Sequence, residues 1–416
     1  MLQDGLLVER GAYRVIRQAK PRPANWNCLT SFVGIVGLLW STFPAYPQAA
    51  RQGDLIFLAD NSLSCSEEGL GTGRSGSSQL PDPLRAYGSS FACDAWSVIM
   101  TTRGVMLSPN FIAVNDGSVA PTGSPQVPHL LDSYATRPPW KVAGVDYAVG
   151  VPSSTVLKNP STIRMSGVSI DTANHLIRVT GNNVTLDGYD FKGWGVYVLN
   201  GASNTTIKNS NFPPGSSIYA DPSTSNVSVI ANTFDHTGDT QSSAFVTLSG
   251  SENKIVQYNY MHDSAQHFVE LNNGGTVNYS YNLIMDGGTV AGAHLNVLQM
   301  MGSFPNTVVS YNTIYQSPQA AGGELIQLAD GGNGLIANNT IIAIPDASGN
   351  PSVSAMIHAQ PGETGVVQNN YMYSAGAYFF FYPGSGSQMT YSGNIDMATG
   401  KTINIRPSPH PSRSIR

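Results

Sequence analysis

Apolar and polar positions alternate in short bursts along the middle of the chain, and the bursts recur. Asn253 to Met261 reads N-K-I-V-Q-Y-N-Y-M. The same arrangement precedes Phe234, Ile284, Ile314, Ile341 and Met372, returns in weaker form before Ile395, and has two earlier copies ending at Phe191 and Phe212. Alternation with period two, rich in β-branched and aromatic residues and punctuated by Gly and Asn, predicts strands rather than helices. Repetition of one such unit through half a chain predicts a solenoid.

One asparagine carries the register. Asn232, Asn259, Asn282, Asn312, Asn339, Asn370 and Asn394 stand 27, 23, 30, 27, 31 and 24 residues apart. A helical repeat needs a fixed length to keep its packing faces, whereas stacked strands tolerate insertions in outward loops. Partner strands lie upstream: Val196–Leu199, Phe245–Leu248, Phe268–Leu271, Leu325–Leu328 and Phe379–Tyr382, each followed by a Gly- or Asn-rich turn. One coil therefore reads as strand, tight turn, strand ending in the asparagine, and variable loop, about nine times over.

Stacking explains the asparagine. Equivalent residues of successive parallel strands sit about 4.8 Å apart. An amide can donate to the copy above and accept from the copy below. This pattern resembles the right-handed parallel β-helix of the pectate-lyase-like superfamily, over roughly Pro152 to Ile405. The resemblance implies an all-β fold. It implies no activity, because the amide ladder is scaffold.

Composition places the fold outside the cytosolic norm. Only 11% of the 416 residues are charged, and 43 are glycine. A net charge of −5 gives no pull towards nucleic acid. Residues 1–50 read as an export signal or anchor. Arg10, Arg14, Arg17, Lys20 and Arg22 precede an apolar run from Leu29 to Trp40, which Pro44 and Pro47 follow. That run is shorter than the roughly 20 residues of a membrane span, so no stable span is expected. The expected localisation is secreted or periplasmic. Residues 51–150 read as linker and cap: a Ser/Gly-rich stretch, a Pro-punctuated one, and Arg137 to Tyr147 leading into a cover for the first coil. Cys65 and Cys93 could pair in an oxidising compartment. Residues 151–405 form the β-helix, and 406–416 a disordered tail.

The interior of such a coil is packed, so chemistry belongs outside. Aligning partner strands by their turns gives an outward column of Thr247, Glu270, Gln299, Gln327 and His358. A second set just upstream holds His267, Asn296 and Glu324. The longer coil at His294–Gly302 could shift that register by two. Loops after the ladder add Asp235, His236, Asp239, His262, Asp263, Asp286 and His294. Histidines and carboxylates meeting across coils suit acid–base catalysis. The catalytic candidates are Glu270, His267, Asp263 and His294; the substrate contacts are Gln299, Gln327, Glu324 and His358. No spacing matches a known metal signature, although Ca²⁺ is compatible with the carboxylates.

No Lys or Arg occurs from Ile255 to Gly400. The cationic bases of many β-helix lyases, and the paired-aspartate and Arg-x-Lys motifs of polygalacturonase-like helices, are therefore missing. The expected function is an exported protein that binds a polysaccharide along one face and cleaves it, as hydrolase or lyase. The alternative is a non-catalytic adhesin or structural solenoid. The grouping of titratable residues between 235 and 294 favours the first.

Overall fold

The computed structural model describes residues 123–403, apart from 241–243, 291, 319–322 and 329–330, together with the backbone of short strands at Ile56–Phe57, Trp96–Thr101 and Gly104–Pro109. The expected export signal, the Cys65–Cys93 pairing and the tail lie outside the described residues.

The repeating units wind into a parallel β-solenoid. Its strands stack into three sheets of ten, nine and nine strands. One coil contributes Val269–Asn272 to the first sheet, Thr276–Ser280 to the second and Leu283–Met285 to the third. The next coil lays Leu298–Met301, Asn306–Ser310 and Thr313–Gln316 parallel on these. A coil thus has three strands, where the sequence pattern suggests two. The asparagine does not end the coil; it sits at a bend, and the apolar residue after it belongs to a separate strand of two to four residues. Alternation over so few residues is too brief to register as a strand.

The bend is strained and heavily bonded. The residue before each asparagine is left-handed, with φ of 53° at Ala231, 55° at Tyr258, 58° at Tyr281 and 56° at Tyr311. That conformation costs a side-chain-bearing residue roughly 1–2 kcal/mol. The amide ladder holds it. Asn312 Nδ2 donates to Asn339 Oδ1 at 3.0 Å and to the Tyr279 carbonyl at 2.8 Å. Its own Oδ1 accepts from the Asn282 backbone N–H and from Asn282 Nδ2. The same set runs from Asn232 to Asn394, and Ser210 extends it at the N-terminal end. Outside the bend, the rings of Tyr258, Tyr281 and Tyr311 stack at 4.9 and 5.1 Å.

Inside, each sheet supplies apolar residues in register, the first sheet in two columns that pass through Val269 and Leu271. The column of the third sheet begins with Phe212 stacked on Phe234 and continues through Met261, Ile284, Ile314, Ile341 and Met372, all fully buried. At the last coil Asp396, not Ile395, takes this place, and the apolar column ends there. Among the described residues two charged side chains, Lys254 and Glu363, are buried. Lys254 is buried and lodges its ammonium among the carbonyls of Gly250, Glu252 and Gly274.

At each end one sheet is finished by an antiparallel strand. Val168–Asp171 folds back on Leu176–Val179, and Lys401–Thr402 on Ile395–Asp396. Residues 137–147, expected to lead into the N-terminal cover, lie elsewhere. Residues 127–151 form a strap along the outer face of the third sheet. Tyr134 meets Tyr373, Trp140 stands edge-on to Tyr371 and Tyr311, and the Ala143 carbonyl accepts from Thr313 Oγ1. Gly150 N–H then donates to the Tyr258 carbonyl, and Val151 N–H to Thr233 Oγ1. The aromatic stripe on those coils gives the strap its seat. Among the described residues no helix is long and apolar enough to cross a membrane.

The ladder makes a direct prediction. Asn312→Ala strips two donors and an acceptor from a fully buried bend, and should lower unfolding free energy by about 1–3 kcal/mol. Asn350 bonds only to Asp346 in an exposed turn, so Asn350→Ala should cost much less. Urea denaturation of both variants checks the difference.

Candidate functional site

The outward column of the first sheet is continuous. Arg178, Tyr197 and Tyr219 stand in register below Thr247, and Glu270, Gln299, Gln327, His358 and Tyr382 follow above it. The expected slip at Gln299 does not occur. Arg178, Tyr197, Tyr219 and Tyr382 are the members that strand alignment missed. The strand Ser217–Ala220 is short and follows Pro213-Pro214-Gly215, so it does not read as a repeat.

Glu270 sits mid-column, half-buried between Thr247 and Gln299. Two residues before it, Phe268 is fully buried, next to Gly287 and the ring of Phe245. The loops joining the third sheet to the first thus form a wall beside the column. Burial raises the Glu270 carboxyl above the ordinary carboxylate range.

The rim of that wall holds a second group. His267 precedes the strand, which begins at Val269, so it is free of the strand's alternation. Its Nδ1 accepts the Asn296 backbone N–H at 3.0 Å. A backbone N–H can only donate, so Nδ1 is unprotonated and the neutral ring carries its proton on Nε2. Burial, with His294 nearby, lowers the His267 pKa and favours this neutral form. His267 Nδ1 is thus occupied by the backbone, and Nε2–H is the ring's one donor. Asn296 is fully buried; its Nδ2 donates to Gln327 Oε1 at 2.7 Å and its Oδ1 accepts the Glu324 N–H. Gln327 meets Asn296 through Oε1, and its own N–H groups take no part in that contact.

Glu324 lies between two imidazoles. His358 Nδ1 is 3.5 Å from Oε1, and His294 Nε2 is 3.7 Å from Oε2. His358 holds the Glu324 carboxyl below its ordinary range against the opposing effect of burial, and His294 adds to this. Gly323 makes room for His294, whose ring occupies the space a Cβ there would need. His294 is the exposed member, with 64% of its side chain open.

Asp263 belongs to a different group. It accepts from His262 Nδ1 at 2.8 Å and from Thr237 Oγ1 at 3.0 Å, beside Asp235 at the end of the third sheet. Burial tends to raise Asp235, and hydrogen bonds from Thr237 with the charge of His262 hold it low. Asp235, His262 and Asp263 bring ligand atoms within 4.8 Å of one another, close enough to hold a metal ion. Of the four catalytic candidates, three border the first-sheet face and Asp263 does not pair with them.

A family model described as "Right handed beta helix region" matches residues 154–341. The chain is a right-handed parallel β-helix repeat protein. No curated protein and no solved structure matches it. The β-helix is consistent with a carbohydrate-active or surface protein.

The tautomer of His267 is open to measurement. Long-range ¹⁵N–¹H spectra of the β-helix should show His267 neutral, with the proton on Nε2, at pH values where an ordinary histidine is already half charged. A ring protonated on Nδ1 would contradict the assignment.

Proposed function

We propose that this β-helix binds a polysaccharide along the outer face of its first sheet and cleaves it, with Glu270 as general acid and Glu324 as general base. The observation that carries the reading is the single register column from Tyr197 to Tyr382, with Glu270 in its middle and the ion-paired Glu324 beside it.

Two carboxyls serve a hydrolysis when their surroundings push them in opposite directions. Glu270 is buried without a cation and tends to keep its proton, so it can give one to a leaving oxygen. Glu324 is held ionised by His358 and His294, so it can take one from water. Glu324 lies three residues before Gln327, which is two rungs above Glu270. That is on the order of 10 Å along the axis and a further ~10 Å along the strand. Such a spacing does not fit the close carboxyl pair of a retaining enzyme, so the two side chains would reach towards a bond and a water held between them, as in inversion. Gln299, Gln327 and the His267 Nε2–H supply hydrogen bonds to sugar hydroxyls around the bond that breaks. Export suits the reading, since residues 1–50 set basic residues before an apolar run.

Kinetics on a cleaved polysaccharide test the roles. Glu270→Gln and Glu324→Gln should each lower kcat by about 10²–10⁴-fold with unchanged melting temperature. Gln327→Ala should act mainly on KM. Activity needs Glu324 ionised and Glu270 protonated. It should fall on the acid side below the ordinary carboxylate range and on the alkaline side above it. ¹H NMR of the first product should show inverted anomeric configuration. Full activity in Glu270→Gln would contradict the assignment, and a glycan bound but left intact would favour the adhesin.

A further inference from the structure

We propose that the polysaccharide this face takes is uncharged, and that tyrosines at the two ends of the column grip it. The inference rests on the glycan-binding reading above and adds its substrate class.

The column changes character along its length. At its N-terminal end Tyr197 and Tyr219 face outward, half-buried, with ring centres 5.5 Å apart. Glu270 and the amides of Gln299 and Gln327 fill the middle. At the C-terminal end Tyr382 stands edge-on to His358 and beside Phe379, at 4.9 and 5.5 Å. Tyr382 and Phe379 are 47% and 50% exposed, among the largest open apolar side chains of the described residues. Rings at the ends with amides between suit a polymer that offers C–H faces and hydroxyl groups in turn. Aromatic faces attract the partly positive C–H groups of a sugar, and amides satisfy the hydroxyls.

Charge decides against an acidic polymer. Between Tyr197 and Tyr382 the column holds no Lys or Arg. The sequence has neither from Ile255 to Gly400. Arg178, one rung below Tyr197, is held at 3.0 Å by Asp171. His294 and His358 both face Glu324. A uronate on every sugar would find a protonated Glu270, a Glu324 already paired with its histidines and no cation left to answer it, and an unpaired charge in a half-buried groove is costly. A neutral chain meets no such penalty.

Affinity electrophoresis of the full chain tests this. The gels should contain mixed-linkage β-glucan, xylan, galactomannan and dextran on one side and polygalacturonate and alginate on the other, each with Ca²⁺ and with chelator. At least one uncharged polymer should retard the wild type, equally in both conditions, and the acidic polymers should not. Tyr219→Ala and Tyr382→Ala should each weaken that binding by about tenfold, with melting temperature as the control for folding. Retardation confined to polygalacturonate or alginate would overturn the inference and leave the glycan-binding reading standing. Retardation by none of the polymers would sink that reading and the inference together. Uncharged binding that both tyrosine variants retain in full would overturn the aromatic grip.

Discussion

A buried amide at a bend must find partners for two donors and an acceptor, and everything else in this molecule follows from where these asparagines find theirs. Asn312 gives to the coil above and to the one below, and receives from a third group. None of these partners lies in its own strand. The bend is therefore stable only as a stack, and one coil alone would leave buried polar groups unpaired at about 1–3 kcal/mol each. Stacking then sets the parallel register, and that register turns scattered residues into columns. Left-handed Tyr258, Tyr281 and Tyr311, each just before a ladder asparagine, are held by the same bonds, and their stacked rings form the stripe on which the strap rests.

The functional face inherits its geometry from that register. Thr247, Glu270, Gln299, Gln327 and His358 come from five coils, far apart in sequence, and line up because interior Val246, Val269, Leu298, Ile326 and Ile357 do. Glu270 is half-buried on this face, with no cation beside it among the described residues, and that burial raises its carboxyl. Glu324 escapes the same fate because two histidines from neighbouring coils face it. One scaffold thus gives two carboxyls opposite tendencies.

The interior asparagines were legible in the chain because a stacked residue must recur, and the outward column because strand alternation is strict. Other features were not. Third-sheet strands such as Thr233–Asp235 are too short to show a period. The strap repeats nothing, and Ala143 meets Thr313 across 170 residues. Asp263 reads like His267 in sequence, yet the chain turns between them and leaves Asp263 with His262 at the edge of the third sheet. The neutral tautomer of His267 depends on a backbone N–H from the next coil, which no side-chain pattern announces. A second, exposed amide ladder through Asn183, Asn204, Asn226 and Asn253 stood in the repeats unremarked, because its members also look like ordinary turn residues.

Two carboxyls of one face are driven apart by their surroundings. Site-resolved ¹³C carboxyl titration of the intact protein measures this directly. Glu270 should titrate above the ordinary glutamate range and Glu324 below it. The reverse order, or two carboxyls titrating together at the ordinary value, would contradict the assignment of acid and base.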